Sequence, residues 1–112
     1  MSNTQHLHAW FEAAKACSVS GLRAFLEHET DAEFVNEKDT YGFTALMYAV
    51  CQNGGHQQCV DFLLTHGADP SCTDAEGRSV IEIGYAGVTS ALERMIMTEI
   101  EKRIQEHLRA AV

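Results

Sequence analysis

A six-residue segment occurs twice in this chain, and it limits the possible folds more than any other feature. Asp39-Thr40-Tyr41-Gly42-Phe43-Thr44 returns 35 residues later as Asp74-Ala75-Glu76-Gly77-Arg78-Ser79. An aspartate three residues ahead of a glycine suits a tight turn: the carboxylate accepts backbone hydrogen bonds and the glycine tolerates positive φ. The hydroxyl residue two further on is placed to cap a helix by accepting backbone N–H groups. Each copy leads into two short apolar stripes of helical spacing. After the first come Leu46, Ala49 and Val50, a break at Asn53-Gly54-Gly55, then Val60, Leu63 and Leu64. After the second come Val80, Ile81 and Ile83, a break at Gly87, then Leu92, Met95 and Ile96. Upstream, Trp10, Ala13, Ala14 and Cys17 followed by Leu22, Phe25 and Leu26 form another pair, with too little chain before it for a leading turn. Gly67 stands where a left-handed residue would end a helix, and His66 beside it suits the helix C-terminus. Helices this short are marginal alone, so each pair must bury its apolar face against the next.

These residues resemble the ankyrin repeat. Asp39-x-x-Gly42-x-Thr44-Ala45-Leu46-x-x-Ala49 is similar to that family's turn and first helix, with Ala45 where proline is usual. His56-x-x-Cys59-Val60-x-x-Leu63-Leu64-x-x-Gly67-Ala68-Asp69 is similar to its second helix and exit loop. The spacing exceeds the family's repeat of about 33 residues by roughly two, and the doubled Gly54-Gly55 turn is the natural place for them. The resemblance spans about residues 6 to 97 and implies an all-α ankyrin-repeat solenoid of about three helix-turn-helix repeats in a single domain, 1–112. Residues 6–38 form an N-terminal capping repeat built around Trp10, 39–73 the central repeat and 74–97 a degenerate repeat, with a helical extension over 98–112.

The resemblance also implies a function. In such proteins the loops between repeats project as fingers and the first helices line a concave face, and partner proteins bind across both. The candidate finger residues here are Lys38, Thr40, Tyr41 and Phe43, then Thr73, Ala75, Glu76 and Arg78. On the inner helices they are Phe11, Lys15, Met47, Cys51 and Gln52. Tyr41 and Phe43 stand out, because aromatic side chains beside a rigid turn make effective anchors. The expected role is an adaptor, inhibitor or subunit that binds another protein and carries out no catalysis.

The C-terminal stretch supports a second expectation. Leu92, Ile96, Ile100, Ile104 and Leu108 recur at four-residue steps, so the stripe drifts around the helix and one repeat edge need not cover all of it. Ile100, Ile104 and Leu108 are therefore candidate self-association residues of a structural protein that forms homo-oligomers. The chain before Arg94 is strongly acidic, whereas Arg94, Lys102, Arg103 and Arg109 are half of its basic residues. Head-to-tail association would pair the two.

Composition removes other classes. A formal charge of -8 argues against nucleic acid, which needs clustered Lys and Arg. No apolar run is long enough for a signal core or a membrane span, so a cytoplasmic or cytoplasmic and nuclear protein is expected. On that ground Cys17, Cys51, Cys59 and Cys72 are expected to be reduced thiols, mostly buried. His28-Glu29 lacks the second histidine of a helical zinc motif, since Ala32 stands in its place. Cys51, His56 and Cys59 match no usual zinc spacing, and no phosphate loop or nucleophile elbow occurs. No metal, cofactor or catalytic residue is expected.

Overall fold

The two turn segments start helices in the way their spacing predicts. In the computed structural model, which describes residues 4–28, 32–51 and 57–110, Thr44 caps helix α3 (Ala45–Val50) and Ser79 caps α5 (Val80–Ala86). Each cap is reciprocal: the hydroxyl accepts the amide three residues on, and that residue's side chain accepts the cap's own amide. Glu82 closes the box at α5 with an oxygen 2.8 Å from the Ser79 nitrogen. At α3 the Met47 sulfur takes the same place, 3.4 Å from the Thr44 nitrogen.

The remaining helices are α1 (Thr4–Lys15), α2 (Val19–His28), α4 (Gln57–Thr65) and α6 (Ala91–Ala110), with a 3-10 turn over Ala32–Asn36. They pack as the pairs α1/α2, α3/α4 and α5/α6. The first helices α1, α3 and α5 form one row, and the second helices α2, α4 and α6 the other. The only β-bridge among the described residues is Thr73–Ser79, within the second turn.

The core runs through all three pairs. Trp10 is fully buried and meets Phe25 edge-on at 6.0 Å and Phe34 at 5.1 Å. Its indole N–H finds no hydrogen-bond partner among the described residues, so the ring is held by packing alone. Leu46, Met47, Ala49, Val50, Val60 and Leu63 fill the centre, and Val80, Met97, Ile100 and Ile104 the far end. Gly84, which stands where the preceding repeat has Ala49, lies beneath the Met97 thioether; a Cβ there would occupy the sulfur's place.

Two expectations are corrected. Cys17 and Cys59 form a disulfide that joins the end of α1 to α4, with Cα atoms 5.6 Å apart, while Cys51 and Cys72 are free thiols. Cys17 follows α1 in a left-handed conformation (φ 54°). That bend turns it toward the neighbouring repeat, which spacing along the chain could not show.

Ile100 and Ile104 are fully buried inside the chain and are not available for self-association; Leu108 is half-buried. Each four-residue step overshoots a helical turn by about 40°, so Leu92 and Leu108 sit roughly 80° to either side of Ile100. The middle of the stripe meets the core and its start leaves it, with Leu92 at 65% exposure. Arg103 and Asp61 (2.9 Å) tie α6 to α4, and Tyr85 donates to Glu101 (2.7 Å), tying it to α5. Helix α6 continues through Thr98 without interruption, so the helical extension and the last repeat's second helix form one long C-terminal helix, as expected.

The two turn glycines have the same conformation and different surroundings. Gly42 has φ +80° and Gly77 φ +81°, yet a Cβ on Gly42 would fall 2.5 Å from the Ala75 nitrogen, while one on Gly77 would meet nothing. Gly77→Ala should therefore cost only the left-handed backbone penalty of about 1–2 kcal/mol. Gly42→Ala should cost clearly more, because backbone must move. Chemical denaturation of both variants checks this, and equal losses would refute it.

Candidate functional site

Each turn is a hairpin finger built around its aspartate. In the first, the Asp39 amide donates to the Phe43 carbonyl (3.0 Å) and the Gly42 amide to the Asp39 carbonyl (3.0 Å). One carboxylate oxygen of Asp39 accepts the amides of Tyr41 (2.9 Å) and Phe43 (3.0 Å), and the other accepts the Tyr48 hydroxyl. The second finger repeats the pattern. Asp74 accepts the amides of Glu76 and Arg78 (both 2.9 Å), and its second oxygen accepts Arg78 Nε (2.8 Å). Position 83 holds isoleucine where the preceding repeat holds Tyr48, so the donor for the second oxygen comes from Arg78 instead.

The electrostatics follow from these bonds. Burial and the Asp39 carboxylate both push the Tyr48 phenol well above its ordinary range, so it stays a donor at any physiological pH. For Asp74, burial alone would raise the carboxyl, but the hydrogen bonds from Arg78 and Glu76 and the nearby guanidinium outweigh it, and the net shift is downward. Burial pushes the Cys51 and Cys72 thiols up, which makes them poor nucleophiles.

The fingers are linked to one another by one main-chain bond and one side-chain bond. The Ala75 amide donates to the Tyr41 carbonyl (3.1 Å), and Lys38 Nζ donates to the Thr73 carbonyl (3.0 Å). Below the tips, Asn36 takes the Asp69 amide (2.7 Å) and donates to the Gly67 carbonyl (3.2 Å).

Two grooves flank Tyr41, which is 71% exposed. The larger, about 560 Å³, lies between α1 and the first finger and is lined by residues including Leu7, Phe11, Lys15, Lys38 and Tyr48. The smaller, about 370 Å³, lies between the fingers and is lined by residues including Thr40, Phe43, Glu76 and Arg78. The aromatic rings form a continuous floor: Phe11 meets Tyr48 at 5.7 Å and Phe43 meets Tyr48 at 5.0 Å, and the Lys15 ammonium sits 4.9 Å from the Tyr48 ring centre.

Of the residues expected to meet a partner, Lys38, Thr40, Tyr41, Phe43, Glu76 and Arg78 are brought together along these grooves. Phe43 is half-buried against Tyr48, and Arg78 spends much of its guanidinium on Asp74. Met47 is corrected: it is fully buried under the α3 cap and reaches no groove. Gln52 and His56 lie outside the described residues, and Cys59 is bound in the disulfide. Tyr48, Leu7 and His8 line the main groove and were missed by the sequence reading. For Tyr48 a signal existed, since it stands four residues after Thr44, one helical turn above the cap and on the finger's side.

Because the Asp74 carboxyl is depressed in the folded chain, its contribution is complete above the unfolded-state pKa of about 3.9. It disappears as the pH falls through the lower, folded-state value. The melting temperature of Asp74→Ala should lie below that of the parent chain at pH 7, and the gap should close as the pH falls below about 4. A gap independent of pH would show that the charge of Asp74 contributes nothing.

A family model described as ankyrin repeats (three copies) matches residues 2–74, more than half of the chain, from the first helix to the start of the second finger. No curated protein matches the chain at a significant level. Ankyrin repeats are in general protein–protein interaction modules, typically without catalysis, and no helix among the described residues is long and apolar enough to cross a membrane. With paired helices in two rows, aspartate-centred fingers along one edge and this match, the chain belongs to the ankyrin-repeat family.

Proposed function

We propose that the chain is an adaptor, inhibitor or subunit that captures a partner protein at the first finger and the grooves on either side of it. The observation that carries this reading is Tyr41: a large aromatic side chain, 71% exposed, on a backbone fixed by Asp39 and by Ala75. A rigid anchor of this kind loses little conformational entropy on binding. Lys38, Thr40, Phe43, Glu76 and Arg78 surround it and supply polar and apolar contacts.

Tyr41→Ala should leave the melting temperature nearly unchanged, since the ring packs on little, and should weaken partner capture by tenfold or more, as loss of an anchor does. Phe43→Ala should weaken capture too and also cost stability, because its ring lies on Tyr48. Quantitative affinity capture compared across the parent chain and both variants checks the reading. Unchanged recovery of every specific partner with Tyr41→Ala would sink it.

A second reading is favoured by a separate observation. Leu92 and Met95, 65% and 66% exposed, form with Ala91 and Ile96 an apolar face at the start of α6, along a groove of about 620 Å³ that includes Gln57. This face, rather than Ile100 and Ile104, is where copies of the chain would self-associate. Light scattering should then give a dimer or larger species for the parent chain and a monomer for Leu92→Glu/Met95→Glu. A monomer in both cases would leave self-assembly without support.

A further inference from the structure

We propose that the groove between α1 and the first finger takes an acidic peptide segment of the partner, with a carboxylate side chain held between Lys15 and Lys38 and a neighbouring apolar side chain laid against Leu7 and Tyr41. This rests on the interaction-module reading above and adds the chemistry of what is bound.

The distribution of charge carries the inference. Lys15 and Lys38 are two of the four basic residues before Arg94, the others being Arg23 and Arg78, and both line this groove. Acidic residues greatly outnumber basic ones over the same stretch, yet among the described residues Asp39 is the only carboxylate lining the groove. Asp39 is also largely engaged: one oxygen accepts two backbone amides and the other accepts the Tyr48 hydroxyl. Glu12 lies beside the groove and is occupied by Lys15 at 3.1 Å.

The balance of donors points the same way. An ammonium carries three N–H donors. The one hydrogen bond described for Lys15 goes to Glu12, and the one described for Lys38 to the Thr73 carbonyl. Both therefore keep donors for a guest, and the Thr40 and Tyr41 hydroxyls add more. A cationic guest would meet the opposite situation. The ring face of Tyr48 already carries the Lys15 ammonium, and three of the roughly four acceptor sites of Asp39 are taken. The net charge of -8 opposes an acidic segment, but salt screens the distant part of it beyond about 8 Å. Contacts inside the groove are shorter than that. Leu7, Phe11, Tyr41 and Tyr48 give the apolar part of the lining, so a segment alternating acidic and apolar side chains matches the groove along its length.

The test is selection of short random peptides on the immobilised full chain. It is followed by affinity measurement of the best peptide on the parent chain, Tyr41→Ala and Lys15→Gln/Lys38→Gln, each first shown to melt cooperatively. The expected result is enrichment of Asp or Glu next to aliphatic or aromatic residues. Binding should weaken by about tenfold in the lysine variant, the sum of two partly exposed ion pairs. It should also weaken as NaCl rises from about 0.05 M to about 0.5 M. Enrichment of basic or uncharged peptides, or full affinity in the lysine variant when Tyr41→Ala has lost it, overturns the acidic assignment and leaves the docking site standing. If no peptide is enriched, or if binding survives Tyr41→Ala, the docking reading itself fails and the acidic assignment falls with it.

Discussion

Helices of six and seven residues, such as α3 and α5, fall far short of the length at which an isolated helix is stable in water, so each persists only because of its neighbours. Five of the six residues of α3 are buried, between α1 on one side and α5 on the other. The rest of the structure depends on this mutual burial. It explains why Trp10 can be sealed in the core although its indole N–H finds no partner among the described residues. Leaving such a donor unmade costs about 1–3 kcal/mol, and burying a large aromatic ring against Phe25 and Phe34 returns at least as much. It also explains the twenty-residue α6. The middle of that helix packs on α4 and α5, and Met97, Ile100 and Ile104 are buried there.

The fingers solve a different problem. A loop that projects from a stack has few apolar contacts to hold it, so its shape must come from hydrogen bonds. A single carboxylate gathers two amides of its own turn, and a third donor fixes the carboxylate. Tyr48 supplies that donor in one repeat and Arg78 in the next, from different positions in the sequence. The geometry is kept while the residue that completes it changes.

The repeated turn, its capping hydroxyls, the left-handed Gly67 and the core position of Trp10 could all be read from the sequence, because each depends on neighbours a few residues apart. The features that escaped depend on rotation or on distance along the chain. Taking Met47 rather than Tyr48 for the concave face is an error of one residue, about 100° around a helix. It arose because the short apolar run of α3 is buried nearly all round and shows no clear polar side. The Cys17–Cys59 pairing joins residues 42 apart and turns on one left-handed residue, which leaves no periodic trace. The four-residue stripe of α6 was visible, but which part of it meets the core depends on where the helix crosses α4, and only the three-dimensional packing supplies that.

The bond from the Ala75 amide to the Tyr41 carbonyl has a consequence for variation. It joins main chain to main chain at the outer edge of the stack, so it sets the distance between neighbouring fingers without regard to the side chains they carry. Thr40, Tyr41, Ala75 and Glu76 can each be exchanged for another residue while the frame that presents them keeps its pitch. The recognition surface can therefore change its vocabulary without changing its grammar.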